Sequence, residues 1–159
     1  MKKIFQLLAI YLLYANISCS QNTNTVNEKS YQENNYKLDD SVFIDRSGRF
    51  CKIYVNNIDN KLKMFKLYAD SQRSRLLIIY FTKDSIKNGP FTIYAPDGYL
   101  STAGYFLDNQ YEGKWLDYNA KGIIVKEYYY TKGVKSGIWK FFDDDGKLLR
   151  EVNNQKDNK

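Results

Sequence analysis

Four columns of glycine and aromatic residues recur every 24 residues in the second half of the chain. Glycine stands at Gly89, Gly113 and Gly137, followed two residues on by Phe91, Trp115 and Trp139. Three further along come Tyr94, Tyr118 and Phe142, and four beyond those Gly98, Gly122 and Gly146. A fifth column holds Tyr105 and Tyr129 and fails at Asn153, as befits a terminal unit. Self-similarity at so short a period restricts the chain to architectures that stack one supersecondary unit on the next.

The residues say what the unit is. Ala95-Pro96-Asp97-Gly98, Asn119-Ala120-Lys121-Gly122 and Asp143-Asp144-Asp145-Gly146 each set turn formers before a glycine. This suits a hairpin loop whose last residue needs positive φ, where a Cβ would be strained. Runs such as Lys114–Tyr118 and Ile123–Tyr130, rich in Ile, Val and Tyr, flank these loops as strands. A second turn, Thr131-Lys132-Gly133-Val134, leads into the next unit. Clear hairpins therefore cover 89–112, 113–136 and 137–153. A degenerate one covers 63–88, where Phe65–Ala69 echoes Phe91–Ala95, Arg75–Phe81 supplies the second strand, and Gln72 replaces the turn glycine. Val42–Ile44 and Arg49–Val55 read as a further hairpin around Arg46-Ser47-Gly48. The expectation is an all-β fold over 41–159, an elongated antiparallel meander of about eight to ten strands. Strict alternation would put Leu100, Ile124 and Leu148 on one face and Tyr105 and Tyr129 on the other.

Composition narrows the chemistry. Aromatics form 16 % of the chain and Pro only 2 residues, a balance that favours pleated sheet. With no His, the commonest general base and metal ligand is missing. The 2 Cys lie far apart, which rules out a CxxC pair or a zinc site. No metal, cofactor or small-molecule substrate is expected, and the residue set points away from an enzyme. Asp143-Asp144-Asp145-Gly146 reads as a turn, because contiguous Asp without the later Glu does not make an EF-hand loop. Asp117 and Glu127 read as strand-surface charges in preference to a glycosidase pair. Tyr128 and Tyr130 could form a partner-binding surface or pack against each other.

From Asp45 to Lys83 there are nine Lys/Arg against three Asp, whereas from Asp84 onward eleven face eleven. The basic residues are scattered among strand residues, which favours a solvated sheet face over a nucleic-acid site. Contact between this 45–83 segment and anionic lipid, in a structural or membrane-associated envelope protein, is the alternative function.

The first residues carry an address. Met1-Lys2-Lys3 followed by the apolar run Ile4–Ile17 reads as a secretory signal peptide over 1–18, too short for a permanent span. Asn16-Ile17-Ser18-Cys19 resembles a bacterial lipoprotein box, which implies a lipid on Cys19; cleavage after Ser20 is the other route. Residues 19–40 read as a polar tether with almost nothing to bury. Either route leaves Cys51 as a lone, small apolar strand residue in an exported protein of the cell envelope, periplasmic or outer-membrane associated.

The pattern Gly-x-Trp-x-x-Tyr-x-x-x-Gly in Gly113–Gly122, and its counterpart Gly137–Gly146, resembles the MORN-repeat variant family. The likeness covers about Asn88 to Val152 and extends more faintly to Lys63. It implies hairpin-repeat sheets that serve as scaffolds and bind protein partners. Bacterial members of the YwqK-like type imply an antitoxin that neutralises a toxin by binding it. An export leader departs from that type, and shifts the expectation toward an immunity protein at the envelope.

Overall fold

The computed structural model describes residues 28–44, 48–70, 72 and 74–154. The signal peptide, Cys19 and the turn residues 45–47 lie outside the described residues. Ten strands form one antiparallel sheet in sequence order: β1 Tyr36–Phe43, β2 Phe50–Asn56, β3 Leu62–Tyr68, β4 Leu76–Lys83, β5 Ile86–Tyr94, β6 Leu100–Leu107, β7 Gln110–Tyr118, β8 Ile124–Thr131, β9 Val134–Phe142 and β10 Leu148–Asn153. This is the meander of consecutive hairpins that the repeat predicts.

Two turn types alternate along it. After β5, β7 and β9 the chain turns through Gly98, Gly122 and Gly146, whose φ values are +87°, +79° and +85°. Each glycine N–H donates to a carbonyl three residues back, at Ala95, Asn119 and Asp143. The Oδ1 atoms of Asn119 and Asp143 also accept two backbone N–H bonds inside their own loops. The acidic loop is thereby used as a turn. At the opposite end two-residue turns join the hairpins, with both residues at positive φ: Asp84-Ser85, Asp108-Asn109 and Lys132-Gly133. Such turns match the right-handed twist of paired strands.

The first glycine column has a different task. Between the pairs Tyr105↔Glu112 and Ala103↔Leu116, the single residue Gly104 faces Gly113, Lys114 and Trp115. The same irregularity recurs at Gly89 and Gly137, and all three glycines have positive φ, +118°, +65° and +60°. These are bulges, and a bulge bends its strand and sharpens the twist. A second bulge per repeat falls at Ser101, Val125 and Leu149. It overturns the strict alternation expected from sequence. Leu100 packs on the same cluster as Tyr94, and Tyr105 contacts Tyr31 of that cluster, so Leu100 and Tyr105 share a face.

The register divides the side chains between two faces, here called front and rear. Rear residues Tyr54, Met64, Phe81 and Ile79 build the core of the first half, with Tyr94, Leu62 and Leu76. The polar tether expected over 19–40 is corrected over its described part, residues 28–40. Glu28–Tyr31 and Glu33–Asn35 form short 3-10 turns, and strand β1 already begins at Tyr36. Tyr31 is 6 % exposed and packs edge-on against Phe81 at 5.1 Å. A Cβ on Gly89 would stand 2.5 Å from the Tyr31 ring, so the bulge glycine makes the notch into which Tyr31 fits. Asn56 Nδ2 donates to the Ser30 carbonyl, and Lys66 pairs with Glu33 at 2.7 Å. Ring contacts with Phe81 and Tyr105 and polar contacts with Asn56, Lys66 and Asn88 thus hold a segment whose composition is that of a spacer.

Front residues form the second core, with Phe106, Trp115, Tyr128 and Trp139 buried and Phe91, Tyr130 and Phe141 packed on them. Trp115 lies flat on Gly104, where a Cβ would fall within the indole. The Gly104→Ala variant is therefore expected to lose about 1–3 kcal/mol through overpacking, read from a chemical-denaturation midpoint. An unchanged midpoint would show that Trp115 can lift away at no cost.

Candidate binding face: a cation-rimmed aromatic belt

The belt is built by the period itself. Phe91, Trp115 and Trp139 stand two residues after the bulge glycines of β5, β7 and β9 and join one cluster. Between them stand Phe106 of β6 and Tyr128 and Tyr130 of β8. Ring centroids are 5.7 Å apart for Phe91–Trp115, 5.5 Å for Phe106–Trp115 and 5.4 Å for Tyr128–Trp139. Tilted and edge-on geometries dominate, as the ring quadrupole favours. Trp139 Nε1–H donates to the Tyr129 carbonyl at 3.1 Å. Farther up the front face Phe65 and Tyr80 stack at 4.7 Å.

Tyr128 is not the surface residue it could have been. It is 8 % exposed, sits between Trp115 and Trp139, and donates its hydroxyl to Asp117 Oδ1 at 3.0 Å. Packing has taken it, and burial with the neighbouring Asp117 charge raises its pKa. Tyr130 is half-buried against Tyr111 and Trp139. The exposed aromatic is Tyr111, 43 % accessible, with its ring 4.5 Å from Trp115 and 4.9 Å from Phe106. Tyr94 is buried on the rear face, and Tyr118 and Phe142 of the same column are half-buried.

Cations rim the belt. Lys126 Nζ lies 4.3 Å from the Tyr128 ring centroid and 5.2 Å from that of Trp139. Lys135 Nζ lies 4.8 Å from Trp139, the Arg150 guanidinium 3.8 Å from Phe141, and Lys87 Nζ 5.2 Å from Phe106. Among the described residues none of these four is in an ion pair with a carboxylate. Asp117 stands across from Lys126 in the register, but its Oδ1 accepts from Thr102 and Tyr128. On the rear face three lysines do find carboxylates. Lys66–Glu33, Lys114–Glu127 and Lys140–Glu151 pair at 2.7, 3.3 and 3.6 Å. Burial works against the Lys114 charge, yet the Tyr129 hydrogen bond and Glu127 outweigh it and raise its pKa.

The sequence did contain a signal for the rim. Lys126 and Arg150 are 24 residues apart, as are Lys87, Tyr111 and Lys135 in series. The period extends to these positions, although each taken singly is an ordinary surface residue.

Two open depressions lie among the described residues. One depression of about 450 Å³ lies by Asn56, Ile58 and Asp59, and another of about 350 Å³ on the rear face by Glu127, Tyr129 and Lys140. Glu127 accepts hydrogen bonds from Lys114 and Tyr129, while Asp117 is on the front face, so the two carboxylates do not converge. Cys51 is buried, which raises its pKa. Among the described residues no three His, Cys, Asp or Glu side chains come together as metal ligands, and no helix is long and apolar enough to cross a membrane. Neither a family model nor a curated protein matches this chain.

Proposed function

We propose that this chain is an exported binding scaffold of the bacterial cell envelope, lipid-anchored at Cys19, that captures a protein partner on its aromatic belt. The observation that carries this reading is the asymmetry of the sheet. The rear of the first half is covered by Tyr31 and Tyr36 and three rear lysines pair with carboxylates, while the front presents Tyr111 and four cations that lack a carboxylate partner among the described residues. Exposed tyrosine and Arg are among the residues that dominate protein interfaces, and a row of Lys adds electrostatic steering and partner selection. The resemblance of Gly113–Gly122 and Gly137–Gly146 to the MORN-repeat variant type supports a scaffold role, and makes a toxin neutralised at the envelope the partner of choice. The reading through anionic lipid on 45–83 has less support. Lys61, Lys63 and Lys66 of that segment are already paired with Asp84, Asp39 and Glu33.

Two measurements test this. Mass spectrometry of the protein from its native membranes should find a diacylglycerol-modified Cys19 at the mature N-terminus; a chain starting at Gln21 would refute the lipid anchor. Co-expression with a toxin-like protein encoded next to it should rescue growth. The Tyr111→Ala/Lys135→Ala variant, altered only at accessible positions, should weaken complex formation at least about tenfold. Undiminished rescue and binding by that variant would remove the belt from the function.

A further inference from the structure

We infer that the belt receives an acidic amphipathic helix of the partner protein, an inference that rests on the scaffold reading above. The dimensions of the belt lead to this occupant. Lys126 and Arg150 line one side, on β8 and β10, and Lys87 and Lys135 the other, on β5 and β9. Lys135 pairs with Tyr130, four residues along β8 from Lys126, so the two rows stand about 13 Å apart at roughly 3.3 Å per residue. From β5 to β9 the belt runs across four strand spacings, about 19 Å at roughly 4.8 Å each. An α-helix with its side chains is about 10–12 Å wide, and about 13 residues of it reach 19 Å. A helix laid across the strands therefore fits between the rows with its apolar stripe on Tyr111, Tyr130 and Phe141.

Charge selects the helix further. Each long edge of the belt carries two cations, so the helix needs carboxylates on both flanks of its apolar stripe. The buried state of the rings argues against stacked nucleobases or sugars. Trp115 is 2 % exposed and Trp139 7 %, so neither presents an open ring face as a stacking platform. Those two are also the only Trp residues in the chain, which makes the belt its own fluorescent reporter.

The test uses the full mature chain and a synthetic peptide of about 14 residues, with Leu at i, i+3, i+4 and i+7 and Glu on both flanks. A peptide this short is barely helical alone, so gain of helicity on binding is readable by circular dichroism. The tryptophan emission should shift saturably, and the peptide should become helical. Affinity should fall at least about tenfold in Lys126→Gln/Lys135→Gln, fall with added salt, and stay unchanged in Lys140→Gln on the rear face. A scrambled peptide of the same composition should bind at least about tenfold more weakly. Equal binding of the scrambled peptide, no dependence on salt or on Lys126 and Lys135, or tighter binding of phosphatidylglycerol vesicles or oligo-thymidine would overturn the inference. If the Tyr111→Ala/Lys135→Ala variant loses its partner while the acidic peptide does not bind, the scaffold reading stands and the helix alone is refuted.

Discussion

Truncating Trp115 to Ala should lower the unfolding free energy by about 3–5 kcal/mol, as large aromatic deletions in packed cores do. The side chain is among the most buried in the molecule and touches Phe91, Phe106, Tyr111 and Tyr128 around its whole perimeter. Its removal leaves those four rings facing a gap that a twisted sheet with bulges cannot close. A thermal melt should shift downward by about 10–20 °C for a chain of this size. Trp115→Phe should cost less, because the indole N–H finds no hydrogen-bond acceptor among the described residues and its deletion relieves that penalty. The cycle with Gly104→Ala is sharper still. Gly104 accommodates only the indole, so Gly104→Ala should be nearly free of cost in the Trp115→Ala background. Additive effects in that cycle would mean that the two residues do not meet.

The protein should also unfold steeply above about pH 10, the ordinary range in which an exposed tyrosine ionises. Burial raises the pKa of Tyr31, Tyr36, Tyr94 and Tyr128 above that value, Tyr36 to about 12. A group with a raised folded pKa gives its full stability below the unfolded value and loses it as pH climbs toward the folded one. Between about pH 10 and 12 the unfolded chain ionises these tyrosines while the folded chain resists. Each one that stays protonated in the folded chain costs about 1.4 kcal/mol per pH unit, so Tyr31, Tyr36 and Tyr128 together remove about 4 kcal/mol per unit. Denaturation midpoints measured from pH 8 to 11.5 should be flat at first and then collapse. Tyrosinate absorbance should appear together with loss of structure. A gradual titration at about pH 10 with the fold intact would show these hydroxyls to be solvated.

The sheet was legible because its special backbone positions recur. Gly98, Gly122 and Gly146 need positive φ, and Phe91, Trp115 and Trp139 fill one cluster, so spacing alone reveals the hairpin. The bulges hid the faces. Ser101, Val125 and Leu149 are ordinary strand residues, and an insertion in the ladder leaves no mark on residue type. Tyr31 was hidden by its company, since its burial depends on Phe81, Gly89 and Tyr105, each at least fifty residues away in sequence. That long-range cover lies on the rear of the first half, and no local pattern reports it. Tyr128 and Tyr130 looked equivalent in sequence, yet only the hydroxyl of Tyr128 reaches Asp117.

The last strand presents every one of its six side chains to solvent, and Leu149 stands 66 % exposed. β10 has the same bulge as β6 and β8, and those two strands each accept a further neighbour on the corresponding edge. Among the described residues the ladder geometry of this edge is that of an internal strand. A duplicated block of 24 residues inserted at this end would continue the ladder without disturbing what precedes it, and a deleted block would simply shorten it. Length in such a molecule is a free variable, adjustable in whole hairpins to the reach its task demands.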